Sequence, residues 1–436
     1  MRDRQIFEND LRGFAGLSRA WDLLHVGVMR TAWLALLIPA CTTGPDVLTA
    51  RKLPAAIEGD ATAVVAANNQ FACDVYAKAA AGTATNAVFS PFSISTALAM
   101  LDAGAAGNTD TELRAALHFT LPPAQLQAAY GALLTSLDTG RSYGAYTLAT
   151  ADRVYGQQGF AFEQSFLDTT KDDYHAPFES LDFATNPDAS RTTINQWVAS
   201  QTDDKIPELF APGSIDPSTR LVLANAIVFK GDWDTQFDPS KTMTASFHVA
   251  GGADVSTPLM HASLPIALGR FGNANLGVLP FRGKDISLVV IVPDDADGLP
   301  AIEAQLTGDA LTHAIATAQP AGESLDVTLP KFALTQNQGL DALLDSLGVH
   351  DAFVPDVADL SGIDGNHDLY VQTVIHDAMI TVDEHGAEAA AATGIGVGTA
   401  SLPPQLTADH SFAFAIYDSV TGSILFMGRV LDPTQS

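Results

Sequence analysis

The run Asp383-Glu384-His385-Gly386-Ala387-Glu388-Ala389-Ala390-Ala391-Ala392-Thr393 constrains the fold most, because it suits two secondary structures at once. The alanines from Ala389 to Ala392 have high helix propensity. Yet Gly386 opens the run, Thr393-Gly394 closes it, and glycines alternating with apolar residues follow. With a period of two, Ala387, Ala389, Ala391 and Thr393 share one face, and Glu388 lies on the other among Ala390, Ala392 and Gly394. Small inward side chains need little room and a single carboxylate stays in water, which suits a strand slipped late into a crowded sheet. Composition alone describes an Ala/Gly linker just as well.

Other segments decide between them. Asn86 to Leu101 (NAVFSPFSISTALAML), Leu221 to Trp233 (LVLANAIVFKGDW), Leu329-Pro330-Lys331, Ala358 to Ile363 (ADLSGI) and Thr421 to Ser436 (TGSILFMGRVLDPTQS) follow in order. Together with the alanine run they resemble the serpin (serine protease inhibitor) family, in a bacterial member, from about residue 63 to the end. The resemblance implies an α+β serpin fold: a mixed large central β-sheet with two smaller sheets, about eight or nine helices, and an exposed reactive-centre loop over about residues 384–406. It implies no cofactor and a monomer.

Length and composition agree. With 436 residues, 47% of them hydrophobic, the chain can bury a large core; length alone would allow two or three domains, and the resemblance favours one. A net charge of −28 argues against a nucleic-acid partner, an anionic membrane surface or a heparin-type activating site. The 11 histidines are scattered, with no metal-ligand spacing and no internal repeat.

The N-terminus reads as an export signal behind a preface. Residues 1–28 are mixed and charged and read as an annotation extension or a long signal n-region. Met29-Arg30 then precedes a short apolar stretch ending at Cys41, too short to span a bilayer. Leu37 to Cys41 is similar to a bacterial lipobox, with Pro39 departing from the usual small residue, so Cys41 is the candidate lipidation site and ordinary signal cleavage the alternative. The expected organisation is a signal segment over 29–41, a linker over 42–62 and the serpin domain over 63–436. The protein is expected to be exported, as a cell-surface or outer-membrane lipoprotein or a secreted protein. Its membrane contact runs only through Cys41, and if Cys41 carries lipid, Cys73 has no disulfide partner within the chain.

A Ser/His hydrolase using Ser90 or Ser93 with His376 is the enzymatic alternative, but neither serine sits in a Gly-x-Ser-x-Gly elbow. The resemblance gives these residues another role: Ser90, Ser93, Asn225 and His376 match the family's shutter, a buried hydrogen-bond cluster beneath strands that must part. Trp233 matches the breach, where the loop first enters the sheet, although a plain core tryptophan has the same sequence signature. Lys331 matches the partner of the acidic hinge residue Glu384, expected as a surface pair worth roughly 0–1 kcal/mol. No catalytic residue is implied.

The resemblance makes Glu384, Gly386, Ala387, Glu388, Ala389, Ala390, Ala391, Ala392 and Thr393 the hinge. Family spacing from Glu384, and the downstream Leu402-Pro403-Pro404, set the reactive bond between Ala400 and Ser401. Alanine there suits a serine protease with a small apolar primary pocket, elastase-like or subtilisin-like. Val397 and Ile395 are alternative cleavage points. Departures from the family pattern are Ala387, His385, Asp377 and, above all, Gly394, Gly396 and Gly398, which weaken the strand that must form. Two further alternatives share the fold: a non-inhibitory binding or chaperone-like serpin, and a cross-class inhibitor of papain-like cysteine proteases.

Overall fold

Helix α1 (Glu58–Ala80) opens inside the stretch expected to be linker, since Glu58 and Asp60 in its first turn and Lys78 in its last complement the helix dipole. Val64, Val65, Asn68, Ala72, Val75 and Tyr76 form its buried stripe at helical spacing. The computed structural model describes residues 53, 58–81, 83–142, 146–322, 324–386 and 405–435. Among them α2 (Pro91–Asp102) is buried at every position. Ser90 caps it by accepting from Ser93 N–H at 3.1 Å, and Pro91 starts it where no N–H is needed. The remaining helices are α3 (Gly107–Ala116), α4 (Pro123–Ser142), α5 (Gln164–Asp172), α6 (Pro187–Gln201), α7 (Leu299–Glu303), α8 (Gly308–Thr317), α9 (Asp341–Ser346) and α10 (Ser361–Asp364), the last a single turn.

Three sheets carry the strands. The seven-stranded sheet is antiparallel throughout, in the order β1 (Ala87–Phe89), β16 (Ile424–Val430), β15 (Phe412–Asp418), β9 (Ile286–Pro293), β8 (Ala274–Pro280), β7 (Ala267–Phe271), β10 (Gln319–Pro320). Its strands β9 and β16 are buried at every position and are mostly apolar on both faces rather than alternating, with Ser287 and Arg429 as the polar exceptions. Gly428 lets β1 close on β16, for a Cβ there would lie 2.2 Å from Ala87 O. A four-stranded sheet runs β14 (Gln405–Thr407), β11 (Leu325–Pro330), β6 (Val255–Leu264), β5 (Met243–Phe247).

The five-stranded sheet is mixed, in the order β12 (Phe332–Gly339), β13 (Ile375–Val382), β4 (Leu221–Lys230), β2 (Thr147–Gln157), β3 (Phe178–Leu181). Antiparallel register runs the full length of β12 and β13, from Phe332–Val382 to Gly339–Ile375, and along β4 and β2, from Lys230–Thr147 to Leu221–Gly156. Between β13 and β4 the pairing is parallel and confined to Ala378–Ile227 and Met379–Val228. This α+β architecture is the class that the sequence implies.

Candidate functional site: the seam between two parallel strands

Two well-laddered halves of one sheet meet along a seam that is zipped only at its middle. Where β4 and β13 begin, a cavity of about 120 Å³ lies over α2, lined by Leu98, Leu101, Leu221, Leu223, Val374 and Ile375 among others. Among the described residues no strand lies between β13 and β4, which are direct neighbours in the sheet.

Just below the paired positions sits a buried polar cluster. Asn225 and His376 each precede the paired residues by two and so stand at one level on opposite sides of the seam. Ser90, Ser93, Asn225 and His376 are 0, 3, 6 and 1% exposed, respectively. Ser90 N–H donates to His376 Nε2 at 2.9 Å, and Ser90 Oγ–H donates to Leu425 O at 2.6 Å. Ser93 Oγ–H donates to Asn225 Oδ1, and Asn225 Nδ2–H to Asp152 Oδ1 on β2. The imidazole therefore accepts at Nε2 and must be neutral; burial pushes its pKa down to about 3. His376 Nδ1 and Asp377 Oδ1, both buried, have no hydrogen-bond partner among the described residues. Ser90 and His376 are not set as nucleophile and base, because the hydroxyl proton goes to a backbone carbonyl while the ring takes an amide proton.

At the other end of the seam β13 turns over at Asp383 to Gly386. Asp383 carboxylate accepts from His385 N–H at 2.8 Å and Gly386 N–H at 3.3 Å, closing an Asx-type turn. Trp233 indole N–H donates to Asp383 O at 2.8 Å, Trp233 backbone N–H to His385 O at 2.8 Å, and Phe237 N–H to Glu384 O at 2.9 Å. Phe281 stacks on the indole with ring centres 4.6 Å apart and planes 7° from parallel. Gly386 has φ +146°, and a Cβ on it would lie 2.0 Å from Gly231 O, so only glycine fits.

Glu384 is where the sequence expectation needs correcting. The pair with Lys331 forms, Nζ to Oε2 at 2.7 Å, but the carboxylate is buried, 6% exposed, and Thr242 Oγ–H donates to its other oxygen at 2.7 Å. Burial raises the pKa of this carboxyl, while the bonds from Lys331 and Thr242 outweigh it and hold the group below its ordinary value. A surface pair this is not.

Ser90, Ser93, Asn225 and His376 thus come together, as do Trp233, Lys331, Glu384 and Gly386, while Cys41 and Ala387 to Ser401, with Glu388, Ala389, Ala390, Ala391, Ala392, Thr393 and Ala400, lie outside the described residues. Asp152, Thr242, Phe237 and Phe281 complete the two clusters without having been singled out. Only Asp383 carries a local signal, an aspartate two and three residues before the amides it caps.

A mixed sheet whose parallel β13–β4 seam is open where the strands begin and closed by a turn at its other end defines a class, and comparison gives it a name: the serpin (serine protease inhibitor) family model matches residues 66–433, and the chain belongs to that family. It is 39% identical over 382 residues to the leukocyte elastase inhibitor of Bos taurus, covering 84% of this chain and 99% of that protein. Serpin B6 of Macaca fascicularis is 36% identical over 374 residues, with 84% and 98% covered. Among solved structures, Serpin48 of Tenebrio molitor superposes with a TM-score of 0.75 at 32% identity, covering 85% of this chain and 98% of that one. Human thyroxine-binding globulin gives 0.77 at 29% identity, with 86% and 100% covered.

Proposed function

We propose that the chain is an inhibitory serpin that offers Ala400–Ser401 as bait to an elastase-like or subtilisin-like serine protease and traps it by inserting the freed segment into the seam. The protease serine attacks the Ala400 carbonyl, the Ser401 amine leaves, and an acyl-enzyme links protease and inhibitor. The observation that carries this reading is the β13–β4 junction. Both strands run the same way, so a segment that turns back after Gly386 would run antiparallel to each, replacing one short parallel pairing with two antiparallel ladders. Ala387 to Ala400 makes 13 steps, which at about 3.3 Å each carries the attached protease roughly 43 Å.

Small residues along the inserting segment and alanine before the bond support a protease with a shallow apolar pocket, and the relatives named leukocyte elastase inhibitor agree with that choice. In the same reading the domain is a monomer, exported and tethered through lipid on Cys41; mass spectrometry of Cys41 peptides from membranes tests the tether. Among the described residues no helix is long and apolar enough to cross a membrane.

Mixing the full chain with pancreatic elastase and with subtilisin, followed by denaturing gels and intact mass, tests the proposal. A covalent adduct and a released peptide beginning at Ser401 are expected. Clean cleavage after Ala400 without adduct would overturn inhibition and favour a second reading, in which Gly394, Gly396 and Gly398 slow insertion until hydrolysis wins.

A further inference from the structure

Outside the seam, a cluster of ionisable groups lies just past strand β14. Among the described residues strand β14 pairs with β11 over Gln405 to Thr407, and Ala408 N–H donates to Thr328 O at 2.9 Å. The chain is next fastened through two histidines. His410 places Nδ1 2.9 Å from Asp409 Oδ1 and Nε2 2.9 Å from Pro293 O. His248, in the turn between β5 and β6, places Nδ1 2.9 Å from Asp254 Oδ1 and Nε2 3.2 Å from Asp297 Oδ1. The two histidines bridge as neighbouring strand positions, with His248 N–H donating to Asp409 O at 2.9 Å.

At both rings each nitrogen faces an acceptor. A neutral imidazole carries one N–H and satisfies one of them; only the imidazolium can donate to both. We propose that His248 and His410 act as imidazolium ions in a clasp, fastening the chain just past β14 to the β5–β6 turn and to the turn after β9, and letting go as pH rises. The charged groups facing the two rings are Asp254, Asp297 and Asp409, and each cation weakens the other by repulsion. Asp254 also accepts from Ser246 Oγ–H at 2.9 Å and Asp297 from Gly251 N–H at 3.3 Å, which keeps both carboxylates ionised.

The pKa directions agree with the geometry. Bonds to Asp254 and Asp297 raise His248; burial lowers His410, but Asp409 and the Pro293 carbonyl more than compensate and leave it raised. Asp254, Asp297 and Asp409 are all held low by bonds to the histidines. A raised histidine stabilises fully below the ordinary imidazole value and loses that contribution as pH climbs through the raised one. A lowered carboxyl does so above the ordinary carboxylate value and loses it on acidification. The clasp therefore holds from about pH 4 to about 6.5 and opens on the alkaline side.

Hydrogen exchange of the full chain at pH 6.0 and 8.5, corrected for the chemical rate at each pH, reads the clasp directly. Protection of peptides covering 405–411 and 246–252 should fall at the higher pH, by about tenfold for each unit by which the histidines are raised, while a β9 peptide stays unchanged. His248→Gln and His410→Gln should show the weaker protection at both pH values. Equal corrected protection of wild type at the two pH values overturns the proposal, and needs no variant to fold. So would an NMR titration in which the His248 and His410 ring signals move below the ordinary imidazole value.

Discussion

His376 shows how much one side chain can impose on a sheet. It is neutral because its Nε2 takes the Ser90 amide proton and its ring is buried, with a pKa driven down to about 3. The folded value lies below the unfolded one, so the contribution to stability is complete above about pH 6.5 and falls as pH drops toward 3, by at most about 1.4 kcal/mol per unit. His376→Asn should lower the denaturant midpoint at pH 7 yet lose less of it between pH 6.5 and 4.5; an acid slope equal to that of wild type would contradict this. Gly386→Ala tests a second residue. Its Cβ would meet backbone rather than a yielding side chain, and φ is +146°, so a loss of about 1–3 kcal/mol is expected in equilibrium unfolding. A change within a few tenths of a kcal/mol would mean that the turn relaxes.

At the scale of elements, the seam depends on what locks its upper end. Lys331, next to β11 and β12, reaches the Glu384 carboxylate, and Thr242 holds the other oxygen, so the turn after β13 is tied to the neighbouring sheet. Lys331→Met leaves a buried carboxylate with one partner. Because the lysine side chain is 38% exposed, the loss is nearer about 1–2 kcal/mol than that of a fully buried pair, measured by urea unfolding at pH 7. Thr242→Val should cost less, and the two together less than their sum, since they share one carboxylate. Part of this level was legible: the serine, asparagine and histidine of the polar cluster were singled out by resemblance. Phe281 and Thr242 were not, because each touches Trp233 or Glu384 through tertiary packing that no local spacing encodes. The start of α1 at Glu58 was missed for a different reason: two glycines and two prolines between Thr42 and Gly59 read as linker, while the acidic first turn that favours a helix there is short.

For the whole molecule, the proposed mechanism requires a sheet that one more strand would improve, held by a barrier rather than by depth alone, and the β13–β4 seam, zipped at its centre and open where the two strands begin, fits that requirement. The buried cluster at the seam fits that condition, for His376 Nδ1 and Asp377 Oδ1 lie buried without hydrogen-bond partners among the described residues, and such groups leave room for a better-satisfied arrangement. If the segment after Gly386 completes the sheet, cutting the chain at Ala400–Ser401 should raise the thermal midpoint well above that of the intact protein, read by calorimetry before and after limited elastase digestion. Ala391→Glu separates insertion from cleavage. The substituted side chain would put a carboxylate on the small-residue face expected to point inward, where an unpaired charge costs several kcal/mol, without altering the residue before the bond. Protease should then cut the variant as readily as wild type, while covalent adduct falls and the cut form loses its gain in heat resistance. A variant that traps protease as well as wild type would show that this face stays in water, and would remove the period-two assignment of the alanine run on which the proposed mechanism depends.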